Sequence, residues 1–95
     1  MANDFSGTTY TLVSNGSVTG SPQWWPGGAG EFTAEATWGG GTVKLQTQTQ
    51  NGTWIDVGPD VILTANGGGG FYLPPSMIRA SVATATVVYA YARQM

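Results

Sequence analysis

Phe32, Ala34, Ala36 and Trp38 fall on one side of a two-residue period, while Thr33, Glu35 and Thr37 fall on the other. Such alternation buries one face of an extended chain and leaves the other wet, so it specifies a strand. No apolar period of 3.6 residues runs for three turns anywhere in the chain, so an amphipathic helix does not compete. After Gly39-Gly40-Gly41, Val43 and Leu45 alternate with Lys44 and Gln46. The glycines supply a turn, and the segment from Gly30 to Asn51 is predicted to reverse and pair with itself as a hairpin.

The same pattern recurs on both sides of this segment. Residues 1–7 are polar apart from Phe5 and read as an arm, with Phe5 as a possible anchor on a neighbouring subunit. Residues 8–95 form the domain. Thr8 to Val13 is a first strand, with Tyr10 and Leu12 on one face and Thr9, Thr11 and Val13 on the other, turned by Ser14-Asn15-Gly16-Ser17. Prolines fence the pair Trp24-Trp25 in Ser21 to Gly28, which makes that piece an edge strand or an ordered loop. If it is extended, the two indoles point to opposite sides, and at most one can enter a single core.

Asn51-Gly52 signals a turn into Thr53 to Val57. A strict two-residue turn would put Leu45, Thr47, Trp54 and Asp56 on one face and Ile55 and Val57 with Gln46 and Gln48. Either a bulge corrects this register or the far face is covered. Val61 to Ala65 is a short strand, and Asn66 to Gly70 is a flexible loop. That glycine run lacks the Lys-Ser/Thr and helix of a phosphate cradle. Pro74-Pro75 makes a corner into a strand whose inward residues are Ile78, Ala80 and Val82. In the last strand, Ala85 to Arg93, both faces are largely apolar, which predicts a central position.

A chain of 95 residues builds one core. About eight short strands separated by Gly, Pro and Asn signals therefore predict an all-β fold, a single-domain antiparallel β-sandwich or jelly-roll-like barrel.

Charged residues are only 8% of the chain, against about 25% in ordinary globular proteins. A surface made of Thr, Ser, Gln, Asn and backbone is poorly defended against association, so the chain reads as a component of an assembly. Three basic residues and a net charge of −2 give no counterion-release drive toward nucleic acid. No window approaches a membrane span of about 18 apolar residues. The N-terminal residues carry neither a basic segment nor an apolar run, so synthesis in the cytoplasm is expected.

Histidine and cysteine are both missing, which removes the usual general base, thiolate chemistry and most metal ligation. Glu31 and Glu35 share a strand face, but four extended residues separate them by about 13 Å, beyond the roughly 5–9.5 Å of glycosidase pairs. Asp56 to Asp60 is a sparse oxygen set for calcium. Neither catalysis nor a cofactor is expected. What remains is aromatic: Trp24, Trp25, Trp38, Trp54, Tyr72, Tyr89 and Tyr91 serve a core, a subunit interface or a sugar platform. Arg79 and Arg93 could each bind a partner carboxylate, or pair with Glu35 or Asp56.

Trp25-Pro26-Gly27-Gly28, Gly30 to Ala34, Gly40 to Gln46, Trp54 to Gly58, Leu63 to Gly67 and Leu73-Pro74-Pro75 together resemble small β-rich virion proteins of tailed bacteriophages. The resemblance covers residues 24–92 and implies a non-enzymatic structural part of the particle, a capsid decoration (cement) protein. It carries no active site. It implies the major capsid protein as partner, a place on the capsid surface of the virion, and no nucleic-acid or membrane partner. Binding many equivalent shell sites favours a homo-oligomer, expected to be a trimer. The expected contact residues are Phe5, Trp24, Trp25, Ile55, Arg79 and Arg93. The competing class is a carbohydrate-binding or tail-associated sandwich module with Trp24 and Trp25 as its platform.

Overall fold

The computed structural model describes residues 8–95, so the arm at residues 1–7 and its Phe5 lie outside the described residues. Nine strands follow one another: β1 (Thr9–Gly16), β2 (Gln23–Trp25), β3 (Gly28–Thr37), β4 (Thr42–Gln48), β5 (Trp54–Asp56), β6 (Ile62–Leu63), β7 (Gly67–Leu73), β8 (Ser76–Ala83) and β9 (Thr86–Gln94). A 3₁₀ turn, Pro59–Val61, precedes β6.

The pairing is nested and antiparallel: β1 with β9, β2 with β8, β3 with β7, and β4 with both β5 and β6. Two further ladders, β3 with β9 and β4 with β8, complete two sheets. Sheet A runs β1-β9-β3-β7, and sheet B runs β2-β8-β4-β5 with β6 also on β4. This is a long hairpin rolled into a two-layer sandwich, the jelly-roll order. β9 is central, as its two apolar faces predict, and β2 is an edge strand.

The sheets bury Trp25, Phe32, Val43, Leu45, Val61, Ile78 and Val88 completely. The Trp25 ring sits 5.6 Å edge-on from Tyr10 and 5.0 Å from Phe71. Space for it comes from a missing side chain: a Cβ on Gly30 would lie 2.7 Å from both the Trp25 and Phe71 rings. Ala92 lies beside Phe32 across the β3–β9 ladder, so small residues face large ones through the core.

Four local expectations are corrected. β3 and β4 do not form a hairpin; the chain crosses between the sheets at Gly39-Gly40, both with positive φ, and Gly41 N–H donates to Trp38 O at 2.6 Å. Alternation states which side of a strand is buried, not which strand lies beside it. In β1, a bulge between Thr11 and Val13 turns both Leu12 and Val13 inward.

The glycine run is the strand β7 rather than a loop, and it is glycine because other backbone approaches it. A Cβ on Gly69 would lie 2.0 Å from Asp60 O, in the 3₁₀ turn that drops Val61 into the core. That turn also shortens the strand predicted over Val61 to Ala65 to Ile62–Leu63.

At Asn51-Gly52 the loop has three residues, Gln50-Asn51-Gly52. Thr49 N–H donates to Thr53 O at 2.8 Å, and Gly52 N–H donates to Thr49 O at 2.9 Å. Gly52 has φ +88°, the left-handed residue such a loop requires. Thr47 therefore faces Ile55, and Gln46 and Gln48 face Asp56 and Trp54. The extra residue corrects the register.

Candidate functional site

Two outer faces carry the side chains of interest. On sheet B, inward Ile78 and Ala80 leave Met77, Arg79 and Ser81 pointing out from β8. Trp24 pairs with Met77 on one side, and Trp54 pairs with Gln48 on the other. The two indoles thus stand on opposite edge strands of one face, three strand spacings or about 14 Å apart.

Beside this row lies a polar chain. Arg79 Nε donates to Gln46 Oε1 at 2.9 Å, and Gln46 Nε2 donates to Asp56 Oδ1 at 3.0 Å. Lys44 Nζ donates to Asp56 Oδ2 at 3.2 Å, and the Arg79 guanidinium stacks 4.4 Å over the Trp54 ring. The Gln46 hydrogen bond, then that of Lys44, holds the Asp56 carboxyl below its ordinary range against a smaller opposing effect of desolvation. The charges of this face largely satisfy one another, and the apolar surface of Trp24 is left exposed.

Of the expected contact residues, Trp24 is 56% exposed on this face, whereas Trp25 is 0% exposed and belongs to the core. Trp25 is therefore corrected from a partner contact to a packing anchor, and the paired-indole sugar platform is not formed. Ile55 is 46% exposed at the rim of sheet B. Arg79 engages Gln46 and Trp54, not Glu35 or Asp56. Arg93 is on the opposite sheet, ion-paired with Glu31 across the β3–β9 ladder. The sequence offers Trp54 to a core, an interface or a sugar platform alike and gives no signal for Met77, because their facing depends on the three-residue loop and on which strands flank β8.

Sheet A presents a trough. Tyr89 and Tyr91 project from β9 beside Glu35 and Thr33 of β3. The next strand outward is β7, where Gly68 lies beside Thr33 and Gly70 beside Glu31 with no side chains, and Tyr72 projects from the same face beyond them. Aromatic walls thus descend to a glycine floor. The main concavity, about 310 Å³, is lined by Thr33, Glu35, Asn66, Gly67, Tyr89 and Tyr91. It continues toward Arg93 and Glu31 at one end and Val87 at the other. Asn66 Oδ1 accepts from Trp38 Nε1 at 2.8 Å and from Ala36 N–H at 3.1 Å. Its carbonyl side is thereby fixed, and its amide N–H groups have no partner among the described residues.

Neither a protein-family model nor a curated protein matches the chain. Solved structures do. The fold resembles that of the SPBc2 prophage-derived protein YomS. The alignment with YomS has a TM-score of 0.69 and covers 90% of this chain and 88% of that one, at 11% identity. The likeness to YomS is one of fold. A structure of infectious bursal disease virus, Gx strain, aligns over 92% of this chain and 26% of that chain at 16% identity, with a TM-score of 0.34, too low to imply a common architecture.

Proposed function

We propose that the chain is a structural protein of a tailed-phage particle, specifically a capsid decoration protein that docks on the major capsid protein through the outer face of sheet B. The observation that carries this reading is the gathering of exposed Trp24 with Met77 and Trp54 on one face, where Lys44 is ion-paired with Asp56 and Arg79 is engaged by Gln46 and the Trp54 ring. Such a face loses little on desolvation and gains by covering indole surface with protein. The shared fold with a prophage-derived protein supports the phage setting. With neither histidine nor cysteine, the chain is suited to binding rather than to reaction.

Purified protein mixed with DNA-filled heads of the phage that encodes it is expected to add in fixed stoichiometry. The double variant Trp24→Ala, Trp54→Ala is expected to lose addition while remaining folded. Failure of the unaltered protein to add to heads would overturn the decoration role. Self-association into a trimer belongs to the same reading.

A further inference from the structure

The trough on sheet A is not used by the docking face, and its chemistry is specific. We infer that it binds an uncharged oligosaccharide, with Tyr89 and Tyr91 as stacking surfaces and Glu35 and the Asn66 amide as hydroxyl partners. Four observations lead to this ligand class.

Tyr89 and Tyr91 lie two residues apart on one strand face, about 7 Å, and the missing side chains of β7 open the space beside them. Aromatic rings bordering a concavity suit the C–H faces of pyranose rings. Glu35 has no ion-pair partner among the described residues, so its carboxylate can accept from hydroxyl groups. The Asn66 amide, held through its own Oδ1, supplies the opposing donor. An acceptor and a fixed donor together match a hydroxyl, which both donates and accepts.

The competing ligands fit less well. The ion pair of Glu31 with Arg93 cancels at one end of the trough, and Glu35 leaves the remainder negative. That sign disfavours nucleic acid and anionic glycans. A peptide captured by strand addition needs free backbone groups, but β3 and β9 are each hydrogen-bonded on both sides, and the open edge of β7 faces away from the tyrosines. Recognition beside the tyrosines therefore rests on side chains. From Val87 to Arg93 the trough follows six strand residues, about 20 Å, long enough for several linked sugar units rather than one.

An array of neutral and anionic glycans, followed by calorimetric titration of the best neutral oligosaccharide, tests the assignment. Saturable binding to neutral chains is expected. Tyr89→Ala and Glu35→Gln should each weaken it by about tenfold or more, the loss of one good contact. Glu35→Gln alters only an exposed side chain, so it keeps the test valid if Tyr89→Ala unfolds. Trp24→Ala, on the opposite sheet, should leave affinity unchanged. The assignment fails if no neutral glycan binds, if only anionic ones bind, or if binding survives both trough variants. Head binding is scored separately and is independent of each of these results.

Discussion

Trp24 and Trp25 are covalent neighbours with opposite energetic roles, because an extended backbone sends successive side chains to opposite faces. Trp25 fills the space left open at Gly30 between Tyr10 and Phe71, so Trp25→Ala should cost about 3–5 kcal/mol in urea denaturation. That is a large part of the roughly 5–15 kcal/mol available to a domain. Trp24→Ala should change stability by no more than about 0.5 kcal/mol. Comparable losses for the two would contradict the assigned facings. Asp56 is the residue that ties stability to pH. Its carboxyl titrates below the ordinary 3.8 in the folded chain, so the unfolded chain takes up the proton first as the medium acidifies. Its contribution is complete above the unfolded value and is lost as pH falls through the lowered folded value. The stability advantage of the unaltered protein over Asp56→Asn should therefore shrink between pH 6 and pH 3, measured as the difference in urea midpoint.

The elements show which kinds of information a sequence carries. Strand facings were legible where one face is clearly polar: Phe32, Ala34, Ile78 and Ala80 are inward, as their two-residue period requires, whereas the bulge in β1 and the two apolar faces of β9 hid theirs. Strand partners were not, because β3 and β4 would bury the same side chains in one sheet or in two. The glycine run misled for a related reason. Glycine in a flexible loop and glycine under a close backbone look alike until the 3₁₀ turn is known to pass over Gly69. Gly69→Ala should accordingly destabilise by about 1–3 kcal/mol, the cost of overpacking, and denaturant melts would show it. Gly52→Ala should cost about 1–2 kcal/mol through its left-handed backbone. The trough on sheet A was illegible in the same way, since it exists only because β7 lies next to β3 and is glycine from Gly67 to Gly70, Tyr72 being its first outward side chain. Trp24 could be foreseen on the surface because its geometry is local.

At the scale of the molecule, the nested pairing joins the first strand to the last and places β9 between β1 and β3. Neither sheet A nor its core can close before the end of the chain arrives. Refolding should therefore take milliseconds to seconds, as in other folds dominated by distant pairings, and a chain ending at Ala83 should give no cooperative unfolding transition. The scarcity of charge acts at this scale too. Light scattering at micromolar concentration is expected to report a trimer, and a clean 9.9 kDa species would count against self-association in solution. The sandwich is only 21 Å through its shortest dimension, and the outer faces of its two sheets look in opposite directions. A copy seated on a shell by its tryptophan side therefore turns its tyrosines toward the surrounding medium. On the proposed docking and sugar readings together, each anchored subunit would be a one-way adaptor, and a shell covered with them would offer a dense, uniformly oriented lawn of weak sugar contacts whose combined grip far exceeds that of any one.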